Sequence, residues 1–224
     1  SIDEARATQK GEREQITIGC EFISSLGSNE LWQDNMALFL ADHPDVNLHL
    51  HVDNLSEIKS GLVGGAFDAI IGCCYPPDDP TAQYMHAVIN TVPMYLYARN
   101  GNPFLQTLED GFDWCDFKDQ EFITTHVHIS PKPQDILVMW CEQHGFTPKI
   151  GTYTENQLSQ LLEIKTSDKW LLSLGLDVLL NDPALTAIPA DGGTYEIEVV
   201  WRQDAREIID TLADYLKQQE PIAR

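Results

Sequence analysis

Between Val46 and Val52 the chain alternates strictly: Val46, Leu48, Leu50 and Val52 face one way, and Asn47, His49 and His51 face the other. A period of two predicts a strand with one buried face, here expected at a sheet edge. The stretches on either side follow a helical period. Leu31, Trp32, Met36, Phe39 and Leu40 predict a helix from about Ser25 to Ala41, ended by His43-Pro44, because the residue before a proline is pushed out of the α region. Leu55, Ile58, Leu62 and Val63 form the inner stripe of a second helix that Gly64-Gly65 terminates. "QITIGC" before this passage and "AFDAIIGC" after it are short apolar strands. Strand, helix, strand, helix, strand in that order predicts parallel pairing with right-handed crossovers.

The proline-rich "YPPDDP" is a loop, and Gln83 to Arg99 is extended sequence interrupted at Asn90 to Pro93. The alternation then restarts. "EFITTHVHI" predicts a strand and its exit, "QDILVMWCEQHG" a helix closed by Gly145, "PKIGTY" a strand and "ENQLSQLLEIK" a helix. "KWLLSL" and "LTAIPA" are short strands, and "TYEIEVVWR" is a long alternating one. In the last segment Asp204 is placed as N-cap of a helix whose Ile208, Ile209, Leu212 and Leu216 share a face. Two similar α/β units with short links predict two lobes. Chain crossings at Asn90 to Pro93 and near Asp191 to Thr194 predict a hinge between them.

Composition narrows the function more than the fold. With 224 residues, of which 43% are hydrophobic, the chain can bury one large core or two modest ones. Its 35 acidic against 14 basic residues give a net charge of -21, which repels a phosphate backbone. No apolar run reaches the ~20 residues of a membrane span, and the start shows no signal-peptide pattern, so the expectation is a cytoplasmic chain that makes no membrane contact. Five cysteines without a CxxC pair predict buried reduced thiols.

Candidate chemistry is sparse. Ser24 and Ser25 stand where the first strand hands over to a helix N-terminus, a place that either binds an anion or is simply capped by serine. Thr124, Thr125, His126, His128 and Ser130 form a polar cluster leaving a second-lobe strand, facing the expected cleft or else lying in a solvated loop. Thr166 and Ser167 end a helix and either line the same cleft or serve as turn residues. His49 and His51 share a strand face but lack a third convergent ligand, which predicts a solvated edge and no metal site. Cys141 and His144 are helical neighbours without a group to orient a base, and "GLVGGAF" lacks the lysine of a phosphate loop. No catalytic residue and no cofactor is expected.

The order of elements resembles the effector-binding domain of LysR-type transcriptional regulators. The resemblance is carried by "ITIGC" with a serine-bearing helix start, "FLADHPDVNLHLHV", "LVGGAFDAIIG" and "YEIEVVWR", in sequence over nearly the whole chain. It implies a periplasmic-binding-protein-like (type II) fold of two Rossmann-like lobes joined by a two-strand hinge. Residues 15–90 with 194–224 would form lobe I and residues 91–193 lobe II. Residues 1–14, within "SIDEARATQKGEREQ", would be the tail of a linker helix that follows a winged helix-turn-helix. The resemblance further implies a small-molecule effector, polar or anionic, held between Ser24, Ser25 and Asn54 on one wall and Thr125, His126 and His128 on the other, with Thr166 nearby. It implies a homodimer, or a tetramer at full length, paired through the first-lobe helix (Trp32, Met36, Phe39) and the helix carrying Ile136, Val138, Met139 and Trp140. Promoter DNA would be reached only through the missing N-terminal domain. A free-standing solute-binding protein of the same fold is the alternative, and a small-molecule enzyme is a third class with less in its favour.

Overall fold

The computed structural model describes residues 13–21, 31–73, 75–108 and 111–217. Ser24, Ser25, Cys74 and residues 1–12 therefore lie outside the described residues. Among those described, eight strands form one mixed sheet in the order β2-β1-β3-β8-β4-β7-β5-β6. In the first lobe, β1 (Glu14–Glu21) pairs in parallel with β2 (Val46–Asp53) and with β3 (Ala69–Gly72). In the second, β5 (Glu121–Thr125) pairs in parallel with β6 (Lys149–Thr154) and β7 (Trp170–Leu174). Two long antiparallel strands, β4 (Tyr84–Arg99) and β8 (Leu185–Arg202), run through both lobes.

These two strands correct the expected interruptions. "LTAIPA" and "TYEIEVVWR" belong to one strand, and Gln83 to Arg99 is nearly continuous. The turn-like residues produce bulges instead of breaks. Pro93 pairs with Thr194 and Tyr95 with Pro189, so residues 190–193 are extruded opposite Met94. Gly192 sits there at φ 64°, a left-handed conformation that glycine adopts without strain. A second register shift leaves Ile89 unmatched between Val88 and Asn90. The hinge thus lies at residues whose sequence resists regular pairing.

Helices cover both faces of lobe I. The helix α1 (Leu31–Asp42) turns Trp32, Met36 and Phe39 inward, where each is at most 5% exposed, into the core that also holds Ile16, Ile18 and Cys20 of β1. Those three side chains, expected from sequence at a pairing surface, are buried in the chain's own core. On the opposite face α2 (Leu55–Val63) packs Leu55, Ile58 and Leu62 against Ile70 and Val200. Gly61 and Gly19 make that approach possible: a Cβ at Gly61 would stand 2.3 Å from the Phe67 ring, and one at Gly19 would stand 2.8 Å from it.

The expected buried face of β2 is only half covered. Val46 is 5% exposed, but Leu50 and Val52 are 50% and 48% exposed. The strand does lie at the sheet edge. Lobe II is covered by α3 (Lys132–Gln143), α4 (Gln157–Thr166) and the short α5 (Asp177–Leu180), and α6 (Glu207–Leu216) returns to lobe I beside α1. Asp204 does not cap α6. It pairs with Arg202 at 2.9 Å, and the N-cap position belongs to Arg206, which binds Glu14 and Asp68 instead. Residues 103–107 and 114–119, which carry no clear period, form 3-10 turns around an aromatic cluster of Phe104, Phe112, Trp114, Phe117, Trp140 and Trp170.

Candidate functional site

Where β1, β3 and β5 end, the lobes face each other across a narrow cleft with a volume of about 60 Å³, open to solvent at its mouth. Lobe I supplies Glu21 at the end of β1, Asn54 and Leu55 at the start of α2, and Cys73 just beyond β3. Lobe II supplies Thr124, Thr125, Ser130 and Pro133 between β5 and α3, then Asn156, Gln157 and Gln160 at the start of α4, and Leu171 to Leu174 along β7. Tyr195, from the hinge segment of β8, completes the lining. Strand ends and helix starts converge because every crossover in a parallel unit leaves the same edge of the sheet, which is where ligand clefts form in open α/β sheets.

Local hydrogen bonds fix several of these groups. Asn54 caps α2 by accepting from Glu57 N–H at 3.0 Å, and Asn156 caps α4 by accepting from Ser159 N–H at 2.9 Å. Gln160 Nε2 donates to Thr125 Oγ1 at 3.0 Å. Glu21, 5% exposed, accepts from the Cys73 N–H at 2.8 Å. Each asparagine thus takes one helix-start N–H, that of Glu57 or of Ser159, and Glu21 takes a donor of lobe I, the Cys73 N–H. Among the described lining residues there are two carboxylates, Glu21 and Glu155, and no Lys, Arg or His.

Of the residues expected from sequence, Asn54 and Thr125 line the cleft from opposite lobes. His126 and His128 do not. Their imidazole Nδ1 atoms hydrogen-bond each other at 2.6 Å, His126 packs on Tyr153, and His128 borders a shallow outer depression opposite Lys59 and Ser60 of α2. The turn after β5 places them outward, because Ile129 and Ser130 donate back to the His126 carbonyl and bring Ser130 to the cleft instead. Thr166 is exposed at the far end of α4 and donates to the Leu162 carbonyl at 2.8 Å, and Ser167 donates to Glu163 O at 2.9 Å, so both finish the helix away from the cleft. Glu21, Gln160, Asn156, Ser173 and Tyr195 were not anticipated. The available signals were Glu21 as last residue of the first strand and Asn156 three residues before Ser159 at a helix start.

His49 and His51 are exposed on β2, bound to Asn47 and Asp53 respectively. Burial, aided by Glu21 in the first case and Glu142 in the second, pushes the Cys20 and Cys141 thiols up to about 12. Such thiols are packing groups and not nucleophiles. Beside the hinge, Lys132 at the start of α3 reaches across to Glu198 of β8, and Glu198 also accepts from His86 Nδ1 at 2.8 Å. Lys132 and Glu198 are each 5% exposed, and the Tyr75 ring lies 5.6 Å from the ammonium. A cation at a helix N-terminus opposes the helix dipole, so this pair is held by its partner and not by local preference.

A family model for the LysR substrate binding domain matches residues 9–221. No curated protein matches the chain in sequence. Among solved structures, full-length CbnR complexed with its target DNA is 15% identical with a TM-score of 0.70, over 96% of this chain and 74% of that one. The effector-binding domain of QuiR in complex with shikimate is 14% identical with a TM-score of 0.70, over 91% of this chain and 95% of that one. The BenM effector-binding domain with its effector benzoate is 18% identical with a TM-score of 0.65, over 93% and 96%.

Proposed function

Since the chain belongs to the LysR substrate binding domain family, we propose that it is the sensing part of a LysR-type regulator and takes a small molecule between its lobes. The observation that carries this reading is the cleft itself, walled by Asn54 and Glu21 from one lobe and by Thr125, Ser130 and Gln160 from the other. A ligand touching both walls binds the closed arrangement better than the open one, and that difference in affinity is the regulatory signal. Lobe I is assigned to residues 15–90 with 194–224 and lobe II to 91–193. Promoter DNA is assigned to a separate part of the regulator, and this chain, with its charge of -21, to sensing and pairing.

The ligand is a small polar or anionic molecule that touches both walls of the cleft. The structures solved with benzoate and with shikimate hold organic acids, which are small polar molecules of this kind. Pairing with a second copy is assigned to Leu50 and Val52 on β2 and to Met139 on α3, which are 48% to 56% exposed. Native mass spectrometry of the freshly purified protein tests the sensing reading. A co-purified small molecule that is lost from a Thr125→Trp variant supports it, and a molecule retained by that variant places the site elsewhere.

A further inference from the structure

Two imidazoles outside the cleft aim the same ring atom at one point. His126 and His128 stand at the first and third positions of the turn that leaves β5, which the Ile129 N–H closes on the His126 carbonyl at 2.9 Å. This course of the backbone brings the ring centroids to 4.1 Å and the two Nδ1 atoms to 2.6 Å. The His128 N–H donates toward the same His126 Nδ1 at 3.5 Å, so that atom is the acceptor and the His128 Nδ1 carries the shared proton. Spacing alone does not produce such a pair. His49 and His51 are also two residues apart, but on a strand each ring turns to a different neighbour, Asn47 and Asp53.

We propose that this turn binds a divalent ion of the zinc class, held by the Nδ1 atoms of His126 and His128 and completed by water. Two nitrogens at about 2.0–2.1 Å from an ion stand about 2.9 Å apart at a right angle and about 3.4 Å apart at the tetrahedral angle, so the pair has to widen by less than about 1 Å. Small ring rotations supply that, because His128 is exposed and His126 half-buried. The ion takes the place of the shared proton. That proton leaves the His128 Nδ1 and returns to the same ring at Nε2 through solvent, and both neutral rings then present a lone pair at Nδ1. Imidazole nitrogen suits zinc, copper and nickel, whereas calcium and magnesium take oxygen. Asp78 and Lys59 border the same depression as His128, so neither sign of charge prevails beside the site. Among the described residues no third imidazole, thiol or carboxylate joins the pair, which makes this an exchangeable two-ligand site and not a closed structural one. An ion held here braces the turn whose flanking residues, Thr125 and Ser130, line the cleft.

Titration of the whole chain with zinc, followed by long-range proton–nitrogen spectra of the histidine rings, tests this. The Nδ1 resonances of His126 and His128 should move together and saturate at one equivalent, while those of His49 and His51 stay in place. Affinity, read by competition with a fluorescent zinc indicator, should fall at least about tenfold in His126→Gln and in His128→Gln, no less than the loss of a group that merely orients a ligand. His49→Gln should bind zinc as the unmodified protein does. Because the ring spectra are read on the unmodified chain, a variant that folds poorly leaves the test standing. Zinc that moves neither Nδ1 resonance, or an affinity that survives both substitutions, overturns the proposal. So does an affinity that disappears from Cys115→Ser, because the ion would then sit on that half-buried thiol. Equal shifts with magnesium overturn it as well, since the rings would then be reporting the acidic surface and not ligation by imidazole.

Discussion

At single residues, burial and pairing set measurable pH behaviour. The thiols of Cys20 and Cys141 are raised from 9.0 to about 12 because the folded chain excludes water around them. Unfolded thiols ionise above pH 9 while the folded ones do not, so their contribution to stability is intact below pH 9 and is lost as pH climbs toward about 12. Stability should fall by on the order of 1 kcal/mol per pH unit for each thiol in that window, and denaturant melts of Cys20→Ala and Cys141→Ala variants should show a shallower decline. Aromatic disulfide reagents at pH 8 should leave both thiols unlabelled in the folded chain while they label the half-buried Cys115. Glu163 behaves in the opposite sense. Lys169 Nζ donates to it at 2.6 Å and Thr152 Oγ1 at 2.9 Å, which holds its carboxyl below its ordinary value of 4.5. Glu163→Gln should cost about 1 kcal/mol at pH 7. That difference should shrink as pH falls below 4.5, where the native carboxyl loses its advantage over the unfolded one.

At the scale of elements, the close contact of α2 with β1 depends on what is missing from Gly19 and Gly61. Alanine in a helix is ordinarily favoured over glycine by about 1 kcal/mol. At Gly61 the added methyl would meet the Phe67 ring at 2.3 Å, and that ring is itself held by stacking on His51 at 5.5 Å. The clash should win. Gly61→Ala is expected to destabilise by about 1–3 kcal/mol, and combining it with Phe67→Leu should recover part of the loss, a coupling that a double-mutant cycle in urea would read directly. The same elements show why much of the fold was legible in the sequence. The Val46 to Val52 alternation and the Leu55, Ile58, Leu62 stripe are local periods, and a local period survives into the structure. The aromatic cluster around Phe117 and Trp170 was not legible, because its members come from irregular turns and separate strands that meet only in three dimensions. The β8 bulge was half legible: Pro189, Gly192 and Gly193 announce a disturbance, but only pairing with β4 turns it into an extrusion and not a break. The cleft followed the same rule. Asn54 and Thr125 stand at predicted strand and helix ends, whereas the placing of His126 and His128 outside depends on how the turn after β5 closes on the His126 carbonyl.

For the whole molecule, the proposed sensing role places two contrasting demands on the hinge: the lobes have to move, yet the unliganded chain has to hold a defined arrangement. The bulges at Ile89 and at residues 190–193 weaken regular pairing of β4 with β8 where the strands pass from one lobe to the other. Lys132 and Glu198 act against that freedom, since Lys132 belongs to α3 of lobe II while Glu198 lies on β8 opposite Gly72 and Val88 of lobe I. Both are nearly buried, and His86 adds a second hydrogen bond to the same carboxylate. Desolvation makes such a pair a modest net contributor when complete and a large liability when half is removed. Lys132→Met should therefore destabilise by about 3–5 kcal/mol, with Glu198 left as a buried charge partly served by His86. Lys132→Met combined with Glu198→Met should regain most of that stability, because the apolar pair leaves no buried charge, yet it should lose the fixed relation between lobes. Small-angle scattering would separate the two effects: the doubly substituted chain should melt near the unmodified protein and show a wider distribution of interlobe distances. If the double variant kept the narrow distribution of the unmodified chain, the lobes would be held by the β4 and β8 pairing itself, and the clasp would contribute to stability without setting the geometry that a ligand has to change.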